Sequence, residues 1–284
     1  MSVSSAKIAR RRVTNLIFEG FCLAITALAL LALAAILWTL LQKGVGGINL
    51  DVFTMSTPAP GSRGGLANAI TGSVMMSVLA MLAAVVIGVL AGTWLAEYGG
   101  TSVYGSVVRF LNDVLLSAPS ILVGVFIAEI LVKPLHTFSG VAGIAALALL
   151  AIPVIVRTTE DVLRLQAQTL REAGVALGAH FSFVVRKILW RAARSGLLTG
   201  ALLAFARISG ETAPLLFTAL NNQFWTWDPA NPMANLPVVI LQYALSPYAT
   251  WHELAWAGAL LITFAVLVVS VGARYALRGR RQES

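Results

Sequence analysis

Six long apolar stretches alternate with polar segments along the chain, near 18–41, 72–96, 110–132, 140–157, 196–220 and 254–277. A bilayer core takes about 20 apolar residues of helix, so the pattern predicts an all-α membrane protein with six transmembrane helices. The fourth stretch is short and ends at Pro153–Arg157, which makes it the poorest fit to a simple full span. The first follows Lys7, Arg10, Arg11 and Arg12, as a secretory signal would. Its apolar run, Gly20 to Leu41, is nevertheless longer than the roughly 7–15 residues of a signal core, and no small-x-small cleavage site follows. It reads as a retained helix.

Composition agrees. Of 284 residues, 58% are hydrophobic and 11% charged, against roughly 45–50% and about 25% in soluble domains. The net charge of +8 does not indicate nucleic acid, because the bases sit in short clusters between apolar runs. The N-terminal tail, 97–109, 157–195 and the C-terminal end hold four, one, seven and four Lys or Arg, sixteen together. The intervening loops hold three: Lys43, Arg63 and Lys133. Basic residues mark the cytoplasmic side of inner-membrane proteins, so both termini and the 158–195 loop are expected there. The opposite loops, 42–70 and 221–250, are rich in Gly and Pro and carry Trp225 and Trp227, which suit turns and a membrane interface. The single cysteine, Cys22, cannot form an internal disulfide and is expected to pack in its apolar run.

Three segments stand out. Ala84, Gly88 and Gly92 place small residues at spacing four, the pattern that lets helices approach closely where no hydrophobic effect drives association. In the loop 158–195, Val162, Leu165, Leu170, Ala173 and Leu177 suggest one apolar helical face before Gly178. Phe181, Val184, Val185, Ile188 and Leu189 form a second after it. The loop reads as helix, glycine turn, amphipathic helix; periodicity leaves open whether it lies on anionic lipid or against a protein. In the fifth stretch Arg207 and Glu211 are four apart, one helix face on which they can pair. They suit either a lock within the bundle or a polar site on an ion path. Pro214 follows and can kink the helix.

The run REAGVALGAHFSFVVRKILW resembles the cytoplasmic EAA loop of ATP-binding-cassette (ABC) importer permeases: Glu-Ala-Ala, three residues, Gly, nine residues, then an apolar stretch. Glu172, Ala173 and Gly174 stand for Glu-Ala-Ala, Gly178 is the motif glycine, and Ile188 falls at the expected distance. Gly174 replaces the second alanine, and Trp190–Arg191 stands where the family has Leu-Pro. The strings GETAPLLFTAL, LAEYGG and APSILVG resemble the A-type permease subunits of the bacterial phosphate importer over about 70–276.

The resemblance implies a type I ABC-importer permease fold that moves inorganic phosphate across the inner membrane. The core would span 71–277, with a tail at 1–17, the first helix and periplasmic loop at 18–70, and a second tail at 278–284. Glu172, Ala173, Gly174, Gly178 and Ile188 would form the loop that docks into a separate ATPase. Arg207, Glu211 and Thr212 are the candidate substrate-path residues. The implied partners are a second, PstC-like permease subunit, two copies of a PstB-like ATPase and a PstS-like phosphate-binding protein. No cofactor is expected on this chain: it carries no G-x-x-x-x-G-K-[ST] loop, HExxH or GxSxG motif, so ATP would be bound by the partner and no enzyme activity lies here. His136, His180 and His252 fall near span ends or in loops and suit solvated or capping roles. Other readings are an ABC permease for another oxyanion or solute, an ion-coupled secondary transporter, and an intramembrane enzyme. A secondary transporter would need several intramembrane acids, whereas Glu211 is the central one here and Asp113 and Glu129 lie nearer span ends.

Topology is directly testable. Reporters fused after Gly61 and after Trp227 should register outside and one after Gly178 in the cytoplasm; a cytoplasmic signal at Trp227 excludes the six-span arrangement.

Overall fold

The computed structural model describes residues 5–279, with side chains from Arg11. Of the tails expected over 1–17 and 278–284, residues 1–4 and 280–284 lie outside the described residues. The described chain is helical almost throughout. In order the helices are α1 (Ser5–Gly47), α2 (Leu50–Thr54), α3 (Ala67–Trp94, running into a π-helical turn Leu95–Gly99) and α4 (Val103–Ser117). Next come α5 (Ser120–Ile127, extended by the π-helical turn Ala128–Val132 and by Lys133–Leu135), α6 (Gly140–Arg164) and α7 (Gln168–Ala176). The hairpin partner of α7 is α8, built from Phe181–Phe183, the π-helical turn Val184–Leu189 and Trp190–Ala192. The chain ends with α9 (Arg194–Ser209), α10 (Ala213–Thr218), α11 (Leu236–Ala244) and α12 (Ala249–Gly279).

Among the described residues, four helices are long and apolar enough to cross a membrane: Arg11–Gly47, Ala67–Gly99, Gly140–Arg164 and Ala249–Ala273. The expected count of six straight spans is therefore not reached. The stretch expected as one helix over 110–132 is bent by 105° between α4 and α5. It would make a fifth span if both arms were counted together. The bend has a local cause: Ala118 precedes Pro119, which disfavours helical backbone there, and takes φ −66°, ψ 134°. The expected helix over 196–220 breaks between α9 and α10. The fourth helix departs the other way. It runs through Pro153 to Arg164 rather than stopping near 157. A proline inside a helix costs about 3 kcal/mol, but α6 is the most buried of the four spans, and its packing outweighs that cost.

The core is the contact of α6 with α3 and α9. Met76, Ala80 and Ala84 of α3 meet Leu147, Ala151 and Ile155 of α6 and Ala204 and Ile208 of α9. The small-residue stripe of α3 faces α6 as expected. A Cβ on Gly88 would lie 2.8 Å from Ile155 Cβ, and one on Gly92 would lie 2.6 Å from both Thr159 Cβ and the Val156 carbonyl oxygen. The two helices therefore run parallel in near contact. They bring Glu97, Glu160 and most of the arginines to one end of the bundle, called the basic end below. By contrast α1 buries nothing between Arg11 and Thr39, and only its last turns pack on α12, with Gly44 against Leu260 and Gly47 against Glu253. Cys22 lies on that open stretch, exposed rather than packed.

Gly92→Val should destabilise the fold by about 1–3 kcal/mol through overpacking. Gly46→Ala, where an added Cβ meets nothing within 4 Å, should be neutral or slightly stabilising. Thermal unfolding in detergent would compare them; equal midpoints would mean that the α3–α6 contact yields freely.

Candidate functional site: the basic-end hairpin and the broken α9–α10 helix

The predicted hairpin forms, with its turn at Gly178. That glycine has φ +78°, a left-handed backbone that glycine adopts without cost, and open space around it. His180 caps α8: its Nδ1 accepts from the Ser182 amide at 3.3 Å. The second apolar face forms as read, with Val184, Val185 and Leu189 buried and Phe181 and Ile188 partly so, while Arg186 and Lys187 point out. The first face does not. Val162 still belongs to α6, the helix breaks after Arg164, and Leu165 and Leu177 are 82% and 89% exposed. Leu170 and Val175 are exposed too. The hairpin thus carries apolar side chains on its outer surface.

The motif positions divide by burial. Glu172, Ala173 and Gly178 are exposed, whereas Gly174 is buried and Ile188 half-buried. Gly174 has a packing reason: a Cβ there would come within 2.7 Å of Val184 Cγ2 and 3.2 Å of Ile188 Cδ1. Trp190 also has a role, since its indole Nε1 donates to Thr93 Oγ1 on α3 at 3.1 Å.

Beside the hairpin lies a set of ion pairs that sequence reading counted only as topological charge. Glu160 is 3% exposed and is met by Arg109 and Arg164, each at 2.7 Å; Arg109 also donates to the Leu95 carbonyl at 3.1 Å. Arg157 bridges Asp161 at 3.3 Å and Asp113 at 3.8 Å, in the open. Glu97, 2% exposed, takes two hydrogen bonds from Arg171, at 2.8 Å from Nε and 2.6 Å from Nη2. Those bonds raise the Arg171 pKa above its ordinary value, against the opposing effect of burial. A cavity of about 900 Å³ opens beside this pair, lined by residues that include Arg164, Gln168, Arg171 and Glu172. The spacings Arg157–Asp161 and Glu160–Arg164 were readable as helical i,i+4 pairs. Nothing local pointed from Glu97 to Arg171, 74 residues away.

The second candidate region differs from expectation. The α9 helix ends at Ser209, Gly210 follows, and Glu211 and Thr212 lie in the break before α10. Glu211 is therefore not one helical turn beyond Arg207, and no ion pair joins them among the described residues. Instead the Glu211 amide donates to the Ile208 carbonyl at 3.2 Å. Pro214 stands in the first turn of α10, where its missing N–H is harmless; it packs against Gly124 of α5. Arg207 is exposed on one face of α9 with Leu203, and Glu211 and Thr212 are half-buried.

Residues 84–282 match the family described as binding-protein-dependent transport system inner membrane component. The chain is 52% identical to the phosphate transport system permease protein PstA of Haemophilus influenzae, covering 93% of this chain and 94% of that protein. It is 35% identical to the probable phosphate transport system permease protein PstA of Methanocaldococcus jannaschii, covering 94% and 95%. In fold it resembles a chain of the inward-facing MetNI methionine ABC transporter, with a TM-score of 0.60 and 21% identity over 74% of this chain and 95% of that one. This chain belongs to the family of binding-protein-dependent transport system inner membrane components, among the PstA-type permeases.

Proposed function

We propose that this chain is the transmembrane permease subunit of an ABC importer that carries inorganic phosphate across the inner membrane. The observation that carries the reading is the 52% identity with a phosphate transport permease along nearly the whole of both chains. ATP is hydrolysed on a separate subunit. The exposed Leu165, Leu170, Val175 and Leu177 around the hairpin suit docking into a cleft of that ATPase, with Glu172, Ala173 and Gly178 on the outer surface of the contact and Gly174 and Ile188 holding the hairpin together. The basic end, with both termini, faces the cytoplasm, following the distribution of Lys and Arg. A PstC-like second permease, two copies of a PstB-like ATPase and a PstS-like binding protein complete the importer. The external protein delivers phosphate, ATP binding opens the path outward, and hydrolysis resets it.

Phosphate must cross a low-dielectric core as an anion. Arginine suits it, because a guanidinium stays charged and binds oxygens in pairs. Arg207 is exposed, and no carboxylate among the described residues pairs with it, so its donors suit contact with a passing anion. Glu211 and Thr212, in the break beyond it, supply a repelling carboxylate and a hydroxyl near the same path. Breaks in spanning helices suit such sites, since irregular backbone is tolerated in a membrane where it lines a cavity.

Arg207→Gln should abolish phosphate uptake into vesicles, normalised to assembled complex, while ATP hydrolysis persists. Arg207→Lys should restore only part of it, because lysine keeps the charge and loses the fork. Near-normal uptake by Arg207→Gln would route the anion elsewhere. Competition by sulfate or molybdate equal to that by phosphate would assign another cargo.

Gly178→Asp puts a residue with a Cβ into a left-handed turn, at no more than about 1–2 kcal/mol since aspartate tolerates that region better than most, and places a charge on the open face of the hairpin. The ATPase should then co-purify poorly with a chain that still inserts. Wild-type co-purification together with wild-type uptake would remove the hairpin from docking.

A further inference from the structure

The Arg171 guanidinium does more than neutralise Glu97. Its Nη1 donates to the Gln166 carbonyl at 2.9 Å and its Nη2 to the Leu163 carbonyl at 2.9 Å. One side chain of α7 therefore grips the end of α3 through Glu97, the last turn of α6 through the Leu163 carbonyl, which also accepts from the Gln166 amide at 3.1 Å, and the linker just beyond α6 through the Gln166 carbonyl. Glu97 sits in the π-helical turn Leu95–Gly99, a local widening of the helix that often marks a functional position. Two further contacts tie the hairpin to the same few residues of α3: Tyr98 meets the Phe181 ring edge-on at 5.5 Å, and Trp190 donates to Thr93.

Buried charges of this kind contribute little net stability, since desolvation offsets attraction. What a bidentate pair does supply is fixed geometry between two elements. Here the elements are a short helix with an exposed apolar surface and a long helix packed without slack along α6 at Gly88 and Gly92. A push on α7 reaches α3 through Arg171 and, because Gly92 leaves no gap at Thr159 and Val156, passes on to α6.

We propose that the Glu97–Arg171 ion pair is the joint through which displacement of the α7–α8 hairpin is transmitted to α3 and α6, which makes both residues positioning residues for transport. This rests on the reading above, in which an ATPase engages the hairpin. Neither residue contacts the anion. Lysine at 171 would reach Glu97 with one point of contact and drop the Leu163 and Gln166 carbonyls. Glutamine at 97 would keep the shape and lose the charge.

The test is phosphate taken up per ATP hydrolysed, measured on the whole importer in proteoliposomes. Arg171→Lys and Glu97→Gln should lower this ratio by about tenfold, within the range of one allosteric coupling, while the ATPase still co-purifies and still turns over. Glu97→Asp, which keeps the charge but shortens the reach, should fall between them and wild type. A wild-type ratio in both Arg171→Lys and Glu97→Gln overturns the proposal. So does failure of all three variants to yield assembled complex, which would make the pair a folding element only. A wild-type chain that co-purifies with no ATPase defeats instead the function on which the proposal rests.

Discussion

The close approach of α3 and α6 is the contact on which the rest of the bundle depends. Within lipid, helices gain nothing from burying apolar surface against one another, so association relies on close packing. Gly88 and Gly92 permit it, by leaving no room for a side chain against Ile155, Val156 and Thr159. Since the two helices run parallel, their C-terminal turns arrive together. Glu97 and Glu160 then come to lie almost fully covered at the same end, and each must be paired there.

The arginines at that end follow from this. Arg109 reaches Glu160 from α4, Arg164 reaches it from one turn on, and Arg171 reaches Glu97 from α7. Arg109 thereby ties α4, and Arg171 ties α7, to the α3–α6 pair by charged hydrogen bonds. The hairpin is tied most heavily, through Arg171, Phe181 and Trp190, although its outward surface stays apolar and uncovered. Attachment inward with an open surface outward is the combination that the proposed coupling role requires.

The region of α9 and α10, proposed above to meet the anion, is built differently. Where α3 and α6 are continuous, the chain from α9 to α10 is interrupted just after Arg207. A continuous helix would have brought Glu211 within reach of the guanidinium and neutralised it. With the break at Gly210, no ion pair joins Arg207 to Glu211 among the described residues, and the guanidinium stays exposed.

Much of this was readable from the residues alone. Apolar length gave membrane helices, basic clusters gave an expected sidedness, the Ala84–Gly88–Gly92 stripe gave the packing face, and Gly178 between two periodic segments gave the hairpin. All of these are local signals, carried by composition or by the 3.6-residue period. The tertiary structure alone decided the bend before Pro119, the passage of α6 through Pro153 and the break at Gly210. In each case backbone preference competes with packing against distant segments, and the balance is not a local quantity. Packing won at Pro153, inside the most buried span; local backbone geometry won at Ala118–Pro119. The Glu97–Arg171 ion pair also belonged to the tertiary structure. Its partners are 74 residues apart, and only the glycine-mediated contact of α3 with α6 sets the height at which Glu97 meets the hairpin.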